Sequence, residues 1–165
     1  MKNLYIDFDG VIVDTIRVTY DMLDRLEVDK KDFEKMSEFY YNLNWKQLLK
    51  MTPVINDSFE CIKKLYASGK FNIAILTHVN SLDEAVAKIN FIRKYLKDTT
   101  IIPVPREISK TKMCYTKNSI LVDDYSGNLQ EWVKENGIGI QFSTDLNKDK
   151  GFKVIDRLDK LIDMF

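Results

Sequence analysis

The 165-residue chain is poor in the residues that build most metal sites and secreted scaffolds, with two cysteines, one histidine and three prolines. Cys61 and Cys114 stand apart, without a CxxC pair or any Cys/His ligand spacing. That pattern argues against a disulfide framework or a zinc motif and fits reduced thiols in a cytoplasmic protein. Net charge is missing too, since 25 Lys and Arg balance 25 Asp and Glu. A balanced chain has no overall field to draw it to nucleic acid or an anionic membrane, so neither is expected as a partner. No apolar run approaches the ~20 residues of a membrane span. In the opening MKNLYIDFDG, acids arrive where a signal peptide would continue its hydrophobic stretch. Internal repeats, low-complexity tracts and Gly-, Pro- or Ser-rich linkers are absent as well. What remains is a hydrophobic fraction of 45% with 12% aromatics, enough for one core of domain size.

Two periodicities alternate along the chain. Short apolar runs rich in β-branched residues, at Leu4 to Phe8, Phe71 to Leu76, Thr100 to Val104, Ser119 to Val122 and Ile138 to Phe142, read as buried strands. Between them, apolar residues recur every three or four positions: Phe59, Ile62 and Leu65; Leu82, Ala85, Val86, Ile89, Ile92 and Leu96; Leu129 and Trp132; and finally Leu158, Leu161 and Phe165. Each set is the stripe of an amphipathic helix. Asn128 with Glu131 reads as a capping box, Asn80 and Ser81 as a cap for the next helix, and Gly69 and Gly137 as left-handed helix ends. The alternation predicts an α/β fold, a Rossmann-like doubly wound parallel sheet with helices on both faces.

One connection is too long for that scheme. About sixty residues separate the first strand from the second, whereas a single-helix crossover needs about thirty. Residues 16–55 are therefore expected to be a small helical cap inserted after the first strand, with 1–15 and 56–165 forming the α/β core. Such a cap lies over the carboxyl ends of the strands, where open α/β sheets bind ligands.

Acids gather at that edge. Asp7 and Asp9 follow the first strand just before Gly10, Asp123 and Asp124 end the fourth, and Thr77 ends the second. Any one of these reads equally well as a turn or cap residue. Four carboxylates at one edge repel unless a cation sits among them. A hard divalent ion such as Mg²⁺, which takes carboxylate oxygens and needs no His or Cys, suits them.

The stretches DFDGVIVDT at 7–15, ILT at 75–77, a lysine near 110 and LVDDYSGN at 121–128 resemble, in order and spacing, the four motifs of the haloacid dehalogenase (HAD) superfamily of phosphohydrolases. Through THVNS after Ile75 and Leu76, and VDDYSGNLQEW running on to GIGIQF, the chain is most similar to the 5'(3')-deoxyribonucleotidase branch. The resemblance implies a Mg²⁺-dependent phosphomonoesterase acting on a small phosphorylated metabolite, a nucleoside monophosphate. Asp7 would be the nucleophile and would form an aspartyl-phosphate, and Asp9 would be the general acid and base. Asp7, the backbone carbonyl of Asp9, Asp123 and Asp124 would hold the metal. Thr77 and a lysine would hold the phosphoryl oxygens. ISKTKM offers both Lys110 and Lys112, with Lys110 preferred, and His78 is a further candidate for phosphate contact.

Within the cap, Phe33, Met36 and Tyr40 fall at helical spacing and read as the insertion's own core. Tyr41 and Trp45 lie partly off that stripe and are the candidates for facing a substrate. Asp14 and Thr15 read as a helix cap, and Lys30, Lys31, Lys63 and Lys64 as solvated charges. Two enzyme alternatives keep the chemistry and change the substrate, to a sugar phosphate or a phosphorylated polynucleotide end. A non-catalytic phosphate-binding module stands against both acids being present at 7 and 9. A phosphoacceptor receiver domain stands against the order in which acceptor and acidic pair occur.

Overall fold

A computed structural model describes all 165 residues. The apolar runs form β1 (Lys2–Ile6), β2 (Phe71–Val79), β3 (Thr100–Pro105), β4 (Ile120–Asp123) and β5 (Ile138–Phe142). A sixth strand, β6 (Lys153–Ile155), is too short to carry a pattern of its own. All pair in parallel in the order β3-β2-β1-β4-β5-β6. The chain thus winds outward from β1 through β2 to β3, then crosses back to β4 on the other side. That reversal opens a crevice beyond the carboxyl ends of β1 and β4.

Helices cover both faces. On one, α4 (Ser58–Ala67), α5 (Leu82–Arg93) and the terminal α7 (Leu161–Met164) meet Leu4, Ile6, Ile73, Ile75, Ile120 and Val122 of the sheet in the main core. On the other, α6 (Ser126–Lys134) brings Leu129 and Trp132 against Leu76, Val104 and Leu121. β1 ends at Ile6 rather than Phe8 because the chain turns there. The Phe8 carbonyl accepts the amides of Val11, Ile12 and Val13, so the apolar run continues into the core as a tight loop.

Between β1 and α4 stand α1 (Thr15–Arg25), α2 (Phe33–Asn42) and α3 (Trp45–Met51). Two chain passages form their neck: Asp14 N–H donates to the Pro53 carbonyl at 3.0 Å and Ile55 N–H to that of Ile12 at 2.9 Å. α3 leans on α5 of the core. No helix is long and apolar enough to cross a membrane.

Several local expectations need correction. Gly69 does end α4 in the left-handed region (φ +66°). At the end of α6 that role falls to Asn136 (φ +62°), and Gly137 is needed for space, since a Cβ there would lie 2.2 Å from Trp132. Ser81 caps α5 by accepting the Glu84 amide. The Asn128–Glu131 capping box does not form, because α6 already begins at Ser126 and Asn128 donates instead to Asp123. Asp14 is at the N-cap position of α1 without capping it, as its carboxylate takes the Arg17 guanidinium at 2.6 Å.

Candidate active site

The parallel register sets the floor of the site. Ile6 pairs with Val122 on one side and Ile75 on the other, so Asp7 leaves β1 beside Asp123, with its amide bonded to the Val122 carbonyl at 2.9 Å. Gly10, at φ +74°, turns the chain across Asp124, and a Cβ there would lie 2.4 Å from Asp124 Oδ2. Only glycine allows this approach. One oxygen from each of Asp7, Asp123 and Asp124 falls within 4.8 Å of the others.

Lys110, in a 3-10 turn at Lys110–Lys112, reaches into this cluster. Its ammonium lies 2.8 Å from Asp7 Oδ1 and 2.7 Å from Asp123 Oδ2, and the residue is 2% exposed. Lys112 lies outside, 4.0 Å from Glu135. Asp123 is further held by the Tyr125 amide and the Asn128 side chain, both at 2.9 Å.

The electrostatics are those of an acid cluster with too little positive charge. Burial pushes Asp7 up to about 7; Lys110 opposes this, while Asp123 and Asp9 add to it. Burial, then the neighbouring Asp123, Asp7 and Asp9, raise Asp124 well above the ordinary carboxylate range. Burial works against the Lys110 ammonium, yet Asp123 and Asp7 outweigh it and raise its pKa. The donors are hard oxygens converging on one point with an unneutralised excess of negative charge, and these fit Mg²⁺.

Asp9 is held in a separate network. Its Oδ1 accepts the Thr15 hydroxyl at 2.7 Å, and its Oδ2 accepts the Thr77 hydroxyl at 3.3 Å and the Lys88 ammonium at 2.5 Å. Thr15 therefore serves Asp9 and is not a helix cap. His78 donates from Nε2 to the Ile108 carbonyl at 2.9 Å. Burial lowers its pKa, and the residue, near the end of β2, lines the cavity over the acids.

Above the acids lies a cavity of about 390 Å³, whose far wall is the cap. The Phe33, Met36 and Tyr40 stripe, expected as the insertion's own core, lines this cavity; α2 buries no residue, and Phe33 is 82% exposed. Tyr40 is fixed by a 3.0 Å hydrogen bond to Thr19. Tyr41, expected to face the substrate, points the other way, into a larger cleft of about 1100 Å³ between α3 and α5 that holds none of the acids. Leu82 and Val86 of the α5 stripe are exposed at the same cleft. Trp45 does border the site cavity but is buried, with Lys88 Nζ 4.6 Å from its ring centroid. Lys30 and Lys31 are exposed, as expected of solvated charges, with Lys30 paired to Asp24, and both border the cavity with Arg106.

The residues missed by sequence reasoning are Lys88, Glu84 and Arg106, together with the orientation of Phe33 and Tyr40. Lys88 left one trace, a charge in register with Ala85 and Ile92 on the buried stripe of α5.

No protein-family model and no curated protein matches this chain. Solved structures do match it over nearly its whole length. D,D-heptose 1,7-bisphosphate phosphatase from Burkholderia thailandensis aligns with a TM-score of 0.62 at 14% identity, covering 100% of this chain and 98% of that one. The B. bronchiseptica enzyme of the same name, complexed with magnesium and phosphate, gives 0.60 at 12%, covering 99% and 97%. A HAD hydrolase from Bacillus subtilis bound to magnesium gives 0.64 at 10%, covering 99% and 97%. The chain therefore has the α/β fold of HAD-superfamily hydrolases.

Proposed function

We propose that this protein is a Mg²⁺-dependent phosphomonoesterase that works through an aspartyl-phosphate on Asp7, with (deoxy)nucleoside monophosphates as substrates. The observation that carries the reading is the convergence of Asp7, Asp123 and Asp124 beside a buried Lys110, at the floor of a cavity walled by aromatics. Magnesium and phosphate in the B. bronchiseptica neighbour support it.

Asp7, Asp123 and Asp124, with the Asp9 carbonyl, would hold the metal. Bound there, Mg²⁺ supplies the positive charge that keeps these carboxylates ionised and offsets the charge of the phosphoryl oxygens. Lys110 binds and orients those oxygens by charge, and Thr77 would join it by turning its one hydroxyl proton away from Asp9 Oδ2. In the first step an Asp7 oxygen bonds to phosphorus, the bond to the ester oxygen breaks, and Asp9 gives its proton to the departing alkoxide. In the second, Asp9 takes a proton from the water that attacks phosphorus, and phosphate leaves with Asp7 restored.

The cap supplies the substrate preference. Phe33, Tyr40 and Tyr20 line the cavity, and stacking on a nucleobase contributes about 1–3 kcal/mol per base. The cations at the mouth favour a second reading with the same chemistry, in which the ester is the phosphorylated end of a polynucleotide whose next phosphate meets Lys31 and Arg106.

Phosphate release from nucleoside 5'- and 3'-monophosphates, sugar phosphates and end-phosphorylated oligonucleotides, with and without Mg²⁺, tests the proposal. Nucleoside monophosphates are expected to lead, with no release after chelation. A stronger response from oligonucleotides selects the second reading, and preference for sugar phosphates overturns both.

A further inference from the structure

We infer that Lys88 is a positioning residue that holds the Asp9 carboxyl in place for leaving-group protonation, an inference that rests on the phosphomonoesterase reading above. Lys88 lies mid-way along α5 and is 1% exposed. Its ammonium meets Asp9 Oδ2 at 2.5 Å, Glu84 Oε1 at 2.6 Å, the His78 carbonyl at 2.9 Å and the Thr77 hydroxyl at 3.3 Å. Trp45 and Phe8 close over it, with ring centroids at 4.6 and 5.6 Å. An ammonium has three N–H donors, and four acceptors already surround this one. It has no donor to spare for a phosphoryl oxygen, so it acts on its neighbours rather than on substrate.

Burying a lysine carries a large desolvation cost, which an apolar residue at this position on the α5 stripe would avoid. The arrangement makes sense as a brace. Glu84 is itself fixed by the Asn80 amide at 2.7 Å and the Asn80 side chain at 3.0 Å. A continuous chain of contacts therefore runs from the end of β2 through Glu84 and Lys88 to Asp9, while Thr15 holds the other Asp9 oxygen. Glu84 neutralises the ammonium, so Asp9 receives an orienting hydrogen bond without a surplus positive charge. Trp45 acts on the site through this ammonium, as the roof over Lys88.

The experiment compares two leaving groups. When phosphorus passes from the ester oxygen to Asp7, a nucleoside alkoxide needs the proton that Asp9 delivers, whereas p-nitrophenolate leaves as the stable anion. With saturating Mg²⁺, kcat/KM is measured on a nucleoside 5'-monophosphate and on p-nitrophenyl phosphate for Lys88→Met, with Asp9→Asn as reference. Because Lys88→Met strands Glu84, the double variant Glu84→Gln/Lys88→Met is measured beside it, and a cooperative thermal transition verifies folding. In the folded variant the nucleotide is expected to lose about 100-fold and the aryl ester less than about 5-fold, the same split as Asp9→Asn. Equal losses on both esters, or no loss on either, overturn the inference while leaving the phosphomonoesterase reading intact. If the unaltered protein hydrolyses neither ester, that reading fails, and the role of Lys88 fails with it.

Discussion

Lys110 and Lys112 are two residues apart in a polar segment, and only one enters the acid cluster. Lys110 bridges Asp7 and Asp123 from a buried position, whereas Lys112 is solvated. Replacing Lys110 by Met leaves two buried carboxylates without their cation, which costs about 3–5 kcal/mol of metal-free stability. Thermal melts are expected to show that loss, and phosphate release is expected to fall by more than about 100-fold. Lys112→Met should change neither, and the reverse pattern would transfer the role. The acids were legible in the sequence because each follows an apolar run, whereas ISKTKM offered Lys110 and Lys112 together and only the fold brings Lys110 to the cluster. Lys88 was not legible, because a lone lysine on a helix ordinarily snorkels to solvent. Its spacing puts Glu84 within reach at i−4, but nothing in it reveals that Asp9 waits beneath.

The cap helices show what periodicity can and cannot tell. Phe33, Met36 and Tyr40 do share one face of α2, as the 3.6-residue repeat requires. Whether that face meets a core or a cavity depends on what lies opposite, and here it is the acid edge of the sheet. Tyr41, one residue further on, turns to the cleft between α3 and α5. The strands were more legible, since five of six follow apolar runs; β6 is only three residues long at the sheet edge and has too little pattern to be seen. The Asn136–Gly137 pair offers two residues suited to a left-handed helix end, and Trp132 decides between them by closing on Gly137. If α2 forms the substrate wall, Phe33→Ala and Tyr40→Ala should raise KM for a nucleoside monophosphate roughly 5- to 50-fold. KM for p-nitrophenyl phosphate and the behaviour of Tyr41→Ala should change less than about 2-fold. Equal effects of all three would mean that the cap does not read the base.

The molecule as a whole is neutral, with 25 charges of each sign, yet its acids are concentrated where the sheet opens. That concentration couples metal, pH and stability. Asp7 sits at about 7 in the metal-free fold, above its ordinary carboxylate value of 3.8. Its neutral form thus favours the folded state fully below about pH 4, and this contribution drains away as pH rises through 7. A metal held by the ionised carboxylates restores what is lost, so the gain in Tm on adding Mg²⁺ should grow from pH 5 to pH 8, reaching roughly 5–10 °C. A gain independent of pH would place the metal elsewhere. We propose that one residue of this cluster, Asp7, is also the nucleophile, and that union is the central claim. It is tested most directly by rapid acid quench of the protein turning over a ³²P-labelled nucleoside monophosphate. The expected result is Mg²⁺-dependent label on the peptide bearing Asp7, removed by hydroxylamine and absent in Asp7→Asn. Full phosphate release by Asp7→Asn, or label on another residue, would contradict it.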